Sequence, residues 1–214
     1  MKFFIPLVFV AGALASPVAL ESRQLLSSST TSNDYVKGGC KPVVMIYARA
    51  STESGNVGTL GAPLKSGLER AYPGNFALQG VEYPADLASN FLPLGSGQDS
   101  IDEMARLITD VATKCPSAKI AAGGYSQGTA VAARSVAQLP ANIRDRVGAV
   151  VLFGYTQNDQ LNGGIPGYPQ DRVKVFCNTG DLVCEGTLTI ALPHFMYSGK
   201  VTEAVSFIVS KLGN

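Results

Sequence analysis

Ser126 lies at the centre of Gly124-Tyr125-Ser126-Gln127-Gly128, between an apolar run at 119–123 and a run with helical character at 129–139. A serine between a strand and a helix, with glycines two residues to either side, is the setting of a nucleophile elbow. The tight turn exposes the hydroxyl, and the absent Cβ atoms let strand and helix pack closely around it. A serine hydroxyl is a weak nucleophile and needs a base to take its proton as it attacks an acyl carbon. The chain has one histidine, His194, so an imidazole base can only be that residue, and it lies downstream of Ser126. A carboxylate must then hold the imidazole in the tautomer whose lone pair faces the serine. Between Ser126 and His194 the acids are Asp145, Asp159, Asp171, Asp181 and Glu185. Asp145 sits between Arg144 and Arg146, where a solvated salt bridge is expected, and Asp159 and Asp171 fall in a polar connection. Asp181 emerges just after the last strand-like run and is favoured, with Glu185 as the fallback.

A tetrahedral intermediate of acyl transfer requires hydrogen-bond donors at its oxyanion. The backbone N–H of Gln127, the residue after the nucleophile, supplies one. The second is expected from Arg49-Ala50-Ser51-Thr52-Glu53, the loop after the first central strand, where Ser51 offers both an N–H and a hydroxyl. An ordinary turn or N-cap serine is the competing reading of Ser51. A lone histidine is commonly a hydrogen-bonded core or surface residue, but Pro193-His194-Phe195 follows an uncharged stretch at 188–192 that would form an apolar wall.

The elements that must position these groups follow from the hydrophobic pattern. Apolar, β-rich runs recur at 42–48, 76–83, 119–123, 147–153 and 172–178. Ile101, Met104, Ala105, Ile108, Val111 and Ala112 form one helical stripe, and Val201, Ala204, Val205, Ile208, Val209 and Leu212 another. Strands alternating with helices, and strands apolar along their whole length, indicate a parallel sheet covered on both faces. The fold expected is a three-layer α/β/α sandwich with a central parallel sheet of about five strands, a minimal α/β-hydrolase without a lid. In such sheets reactive groups gather beyond the carboxyl ends of the strands, where Ser126, Asp181 and His194 all fall.

Residues 1–15 read as a secretion signal, with Lys2 before an apolar stretch and Ala13-Leu14-Ala15 as the cleavage site. Residues 16–33, rich in Ser and Thr, read as a pro-segment or flexible arm, leaving 34–214 as a single catalytic domain of ordinary size. Lys and Arg number 17 against 16 Asp and Glu, a net charge of +1, which gives no electrostatic footing for nucleic acid or an anionic membrane. No later apolar stretch reaches membrane-spanning length. Four cysteines, Cys40, Cys115, Cys177 and Cys184, in a secreted chain imply two disulfides with three allowed connectivities. Cys177 and Cys184 are spaced to close a short staple around Asp181, which would leave Cys40 for Cys115. Zinc is not expected, because no pair has C-x₂-C spacing and there is one histidine.

Four segments together carry a family resemblance: Tyr47-Ala48-Arg49-Ala50-Ser51-Thr52-Glu53, Gly123-Gly124-Tyr125-Ser126-Gln127-Gly128, Val151-Leu152-Phe153-Gly154-Tyr155-Thr156 and Val175-Phe176-Cys177-Asn178-Thr179-Gly180-Asp181-Leu182-Val183-Cys184. They resemble the signature segments of fungal cutinases, over essentially the whole domain. The resemblance implies an extracellular serine esterase that hydrolyses the insoluble polyester cutin and soluble short-chain esters; a monomer working without cofactor or metal is expected. It implies Ser126, Asp181 and His194 as the triad, Ser51 and Gln127 as the oxyanion hole, and disulfides Cys40–Cys115 and Cys177–Cys184. It also implies two apolar loops beside the cleft, carrying Phe91, Leu92 and Leu94 on one and Leu188, Ile190 and Leu192 on the other, with Leu92, Leu188 and Ile190 as the substrate rim. Ala50 stands where these enzymes commonly have glycine, which would strain the loop if that position needed a positive φ. An acetylxylan esterase or a lidless lipase on the same fold are the rival activities, and a cuticle-binding protein without catalysis is the rival of another kind.

Overall fold

The structure, a computed structural model, describes Met1 and residues 29–213; the remainder of the expected signal and residues 16–28 of the arm lie outside the described residues. Among the described residues, six α-helices and five strands follow one another: α1 (Asp34–Gly38), β1 (Val43–Ala48), α2 (Gly58–Ala71), β2 (Phe76–Gly80), α3 (Gln98–Lys114), β3 (Lys119–Tyr125), α4 (Gln127–Gln138), α5 (Ala141–Arg144), β4 (Val147–Phe153), β5 (Val173–Phe176) and α6 (Val201–Leu212). All strand pairs are parallel, in the order β2-β1-β3-β4-β5.

Strands flanked by helices on both faces must be apolar on both, and β1 is buried along its whole length. Its residues divide by the strand period: Val44, Ile46 and Ala48 join the core under α3 and α4, while Val43, Met45 and Tyr47 join the one under α2 and α6. The stripes of α3 and α6 close these two layers. Ile101, Met104, Ile108 and Val111 are fully buried in α3, and Ala204 and Ile208 in α6.

The expected runs are trimmed or extended where pairing and burial part company. β2 ends at Gly80, short of 83, although Val81 and Tyr83 stay buried; beyond one further bond, Val81 N–H to Tyr47 O, the chain packs its side chains without a ladder. β5 loses its first residues to a 3₁₀ turn at Gln170–Arg172. Residues 30–33, assigned by sequence to the arm, are instead tied to the domain. Ser32 is buried and donates to Leu78 O, and Asn33 forms a bridge with Gln79. Their backbone groups find partners on β2 and the 55–57 turn, which an unpacked arm cannot offer. The expected salt bridge at Asp145 is also absent from the described ion pairs, since Arg144 and Arg146 turn their guanidiniums to the carbonyls of Ala137, Ala112 and Ala118.

Strand order reverses at β1: β2 lies on one side of it and β3 on the other. The crevice beyond the carboxyl ends of β1 and β3 is therefore the switch point at which open α/β sheets place their ligands. The loop 49–53 leaves β1 there and the elbow leaves β3 there. Two disulfides fasten the periphery, Cys40–Cys115 joining the entry to β1 to the end of α3 (Cα–Cα 5.6 Å) and Cys177–Cys184 enclosing the loop after β5 (6.1 Å).

The approach of α4 to the sheet leaves no room for a side chain. A Cβ on Gly128 would lie 2.1 Å from Ala48 O, and one on Gly124 2.1 Å from Gly128 O. Both obstacles are backbone and cannot swing aside. Gly128→Ala should therefore destabilise the domain by about 1–3 kcal/mol. Gly38→Ala, at a helical position with nothing within 4 Å of the added Cβ, should be neutral or slightly stabilising. Paired thermal or denaturant unfolding of the two variants checks the contrast.

Candidate active site

Ser126 adopts φ 53° and ψ −123°, a conformation L-residues avoid and which persists only where its surroundings over-determine it. Here they do. Its N–H donates to Phe153 O at 2.9 Å, and its carbonyl accepts from Thr129 N–H at 2.8 Å and from the Thr129 hydroxyl at 2.5 Å. The turn leaves Ser126 partly exposed and begins α4 at Gln127, whose N–H has no carbonyl four residues back within the helix. The helix dipole adds partial positive charge at the same place.

His194 Nε2 lies 2.9 Å from Ser126 Oγ, and its Nδ1 lies 2.9 Å from Asp181 Oδ2 and 3.0 Å from Oδ1. With Nδ1–H donating to the carboxylate, Nε2 keeps its lone pair toward the serine. Both partners are buried, the histidine side chain 2% exposed and the aspartate 0%, so their attraction acts with little solvent screening. Glu185, the fallback acid, is exposed and makes no described bond to His194. Asp181 caps the 3₁₀ turn Leu182–Glu185 by accepting from Val183 N–H at 3.1 Å. Its Oδ2 also accepts from the Tyr197 hydroxyl at 2.5 Å.

The histidine sits in a 3₁₀ turn, Leu192–Phe195, that is fastened by side chains. The Tyr125 hydroxyl, one residue before the nucleophile, donates to His194 O at 2.6 Å. Asn178 Nδ2 donates to Pro193 O at 2.9 Å and to Met196 O at 3.1 Å. Gly154 carries the ring on its other side: at φ +60°, it would place a Cβ 2.8 Å from His194 Cε1.

Gln127 is fully buried, and its side chain fixes the loop 49–53. Its Nε2 donates to Asp86 O at 2.9 Å and to Ser89 Oγ at 2.6 Å, which leaves Oε1 to accept from the Ser51 hydroxyl at 3.0 Å. Ser51 Oγ accepts in turn from Asn90 Nδ2 at 2.9 Å. In this arrangement the Ser51 hydroxyl proton is engaged with Gln127. Ala50 is not among the residues with positive φ, so alanine costs no strain there. The positive φ lies instead at Thr52 (64°), whose N–H bonds to Ala85 O, and Ala85 is itself at 50°. Glu53 closes the loop, its carboxylate accepting from Ala50 N–H and Thr59 N–H, both at 2.9 Å.

A cleft of about 620 Å³ opens over Ser126 and His194, with Leu188, Ile190 and Phe195 on one wall and Leu87 and Phe91 on the other. Leu92, expected on the rim, does not line it. The 3₁₀ turn Ala88–Phe91 ends in an extended Leu92 (ψ 152°), which directs the neighbouring Phe91 to the cleft instead. Both flanking loops carry only short 3₁₀ turns. Among the described residues, no cluster of His, Cys, Asp and Glu could hold a metal, and no helix is long and apolar enough to cross a membrane.

Of the residues expected from sequence, Ser51, Ser126 and His194 line this cleft, while Asp181 and Gln127 are buried beside it, bonded to His194 and to Ser51 respectively. Sequence reasoning missed Tyr197, Tyr125, Asn90 and Ser89. For Tyr197 the only signal was its place one turn beyond the single histidine; Asn90 and Ser89 are loop residues with no distinguishing pattern.

The sequence profile of the family described as Cutinase matches residues 39–212. Cutinase 1 of Fusarium vanettenii is 47% identical over 225 residues, covering 99% of this chain and 97% of its own. Among solved structures, Trichoderma reesei cutinase in complex with a phosphonate inhibitor superposes with a TM-score of 0.79 at 31% identity, covering 89% of this chain and 83% of that one. The catalytic core domain of acetyl xylan esterase from Trichoderma reesei has the same fold, at a TM-score of 0.68 and 20% identity over 81% of this chain and all of that one. The chain belongs to the cutinase family and is a carboxylic ester hydrolase.

Proposed function

We propose that this is a secreted serine esterase whose triad is Ser126, Asp181 and His194, acting on the insoluble aliphatic polyester cutin and on short- to medium-chain soluble esters. The observation that carries the reading is the unbroken chain from Asp181 Oδ2 through His194 to Ser126 Oγ, two contacts of 2.9 Å, ending on a strained, partly exposed serine between two apolar loops. As Ser126 Oγ attacks the ester carbon, Nε2 takes its proton, and Asp181 stabilises the imidazolium. The N–H groups of Gln127 and Ser51 receive the negative charge that develops on the carbonyl oxygen. The imidazolium then gives its proton to the departing alcohol, leaving an acyl-enzyme. Water, deprotonated by the same nitrogen, releases the acid and restores the serine. No cofactor enters these steps.

The surface favours a polymer over a sugar chain. Of the ten large apolar residues exposed among those described, eight fall in the loops flanking the cleft: Leu87, Phe91, Leu92, Leu188, Ile190, Leu192, Phe195 and Met196. Such a contiguous apolar surface is unusual unless it meets something apolar, and it includes no tryptophan for stacking on sugars. Secretion rests on the N-terminal signal pattern and on two disulfides, which persist in oxidising compartments. A monomer is proposed, and sedimentation analysis would decide it.

Ser126→Ala should fold normally and lose all but background esterase activity, and a serine-directed organophosphate should label Ser126 one-to-one in the unmodified protein. Residual activity above a few per cent in a folded variant would refute the nucleophile. Asp181→Asn should lower kcat by about three to four orders of magnitude with KM little changed, the mark of a histidine held in the wrong tautomer. Glu185→Gln should be close to normal in the same assay.

Each rim side chain covered by an aliphatic substrate contributes at most about 1.5–3 kcal/mol. Replacing Leu188 and Ile190 together by serine should cut hydrolysis of butyryl and longer p-nitrophenyl esters, and release of hydroxy fatty acids from cutin, about tenfold or more. Acetyl ester turnover should hardly change. An unaltered chain-length profile would favour the acetylxylan esterase activity instead.

A further inference from the structure

Tyr197 carries the least expected bond of the site. It lies three residues beyond His194, at the start of the 3₁₀ turn leading into α6, and is 1% exposed. Its hydroxyl donates to Asp181 Oδ2 at 2.5 Å, the oxygen nearer to His194 Nδ1, and accepts from Asn178 N–H at 3.1 Å. Its ring meets the imidazole edge-on, centroids 6.3 Å apart at 88°, and the Cys184 sulfur of the adjacent disulfide lies 3.9 Å from its oxygen.

The geometry points to Tyr197 as a positioning residue that tunes the basicity of the Asp181–His194 pair through Asp181 Oδ2. This rests on the reading of Ser126, Asp181 and His194 as the triad. The argument is one of charge sharing. A carboxylate oxygen that accepts a hydroxyl proton has less negative charge to offer the imidazolium forming beside it. The same bond fixes the plane of the carboxylate, hence the direction in which Nδ1–H must point. The phenol suits the task because burial, and next its bond to Asp181, raise its pKa well above the tyrosine norm, so that it stays a neutral donor throughout the working range. In a dry site such a bond is stronger than in water.

The ionisable groups that face Tyr197 are few. Asp181 and His194 come from the loops after β5, and Tyr125 from β3, with Glu53 acting on Tyr125 from the loop after β1. Tyr125 is likewise kept neutral by burial. Phe153 and Phe176, stacked at 4.8 Å, provide the uncharged floor, with Tyr197 edge-on to Phe153.

Two variants move the property in opposite directions. Tyr197→Phe keeps the ring and removes the donor. It should lower kcat on p-nitrophenyl butyrate about tenfold, the loss of one hydrogen bond to a charged group, with KM within about twofold. The acid limb of its kcat/KM profile, which reports deprotonation of the base, should move to higher pH by about half a unit, because an unshared carboxylate holds the imidazolium more tightly. Site-specific fluorotyrosine at 197 keeps ring and hydroxyl and strengthens the donor, so it should move the acid limb to lower pH, and it tests the idea even if the phenylalanine variant fails to fold. The low-field ¹H resonance of the Nδ1 proton should shift in both. A purely structural tyrosine would lower Tm in Tyr197→Phe but leave the acid limb and the Nδ1 resonance of both variants in place, and that result overturns the proposal. Organophosphate labelling of Ser126 in the unmodified protein is run alongside: if it fails, the triad itself is wrong, whereas labelling with immobile pH profiles rejects Tyr197 alone.

Discussion

The contact between α4 and the strands beneath it governs the rest of this molecule. Gly128 meets the Ala48 carbonyl at the end of β1, and Gly124 at the end of β3 meets Gly128 itself. Only a chain that reverses abruptly can pass from β3 into α4 at that separation, and the reversal falls on Ser126 at φ 53°. Backbone strain of this kind costs about 1–3 kcal/mol, offset by the burial of an apolar helix on an apolar sheet. The exposure of Ser126, the start of the helix at Gln127 and the nearness of the loop 49–53 all follow from that single close approach. The strained geometry stands at the switch point of the sheet because β1 and β3, the strands that bound it, are the ones between which the strand order reverses.

The other half of the site has no such scaffold. Asp181 and His194 lie on loops, thirteen residues apart in sequence, and their relation is set by cross-links. The disulfide Cys177–Cys184 closes the aspartate's loop, Asn178 and Tyr125 hold the histidine's turn by its carbonyls, and Tyr197 joins the aspartate to the element that follows. Each fastening is directional, so each defines an angle as well as a distance. Two loop-borne side chains thereby attain positions that elsewhere in the fold are the property of strands.

What was legible in the sequence divides along the same line. Glycines at fixed offsets, continuous apolar strands and helical stripes are local signals, and they gave the sheet, its five strands and the elbow. A single histidine left no other imidazole to consider, and chain position singled out Asp181, which lies 2.9 Å from it. The clamp formed by Gln127, Ser89, Ser51 and Asn90 left no trace, because Ser51 and Ser89 lie 76 and 38 residues from Gln127 and all are of types found in any loop. Apolar residues also misled where burial and pairing separate: Val81 and Tyr83 extend a strand pattern past the end of its ladder. Leu92 and Phe91 are equally apolar, and only the phase of a 3₁₀ turn decides which of them faces the cleft.

A buried ion-pairing site beneath an exposed apolar rim is a combination that conflicts with ordinary stability. Removing Asp181 from water costs free energy unless every lone pair is matched, and leaving Phe91 and Phe195 in water forgoes what their burial would contribute. The fold meets the first demand internally, with the Val183 N–H, the imidazole and the Tyr197 hydroxyl around one carboxylate. It meets the second only when an apolar surface arrives. Adsorption to an aliphatic polymer would then cover the rim and exclude water from the cleft in one event, strengthening the fields of the Gln127 N–H and the helix behind it at the moment an ester carbonyl reaches Ser126. Because the loops carry only short turns, that event requires no prior opening, and the apolar rim and the preorganised site act as parts of one device.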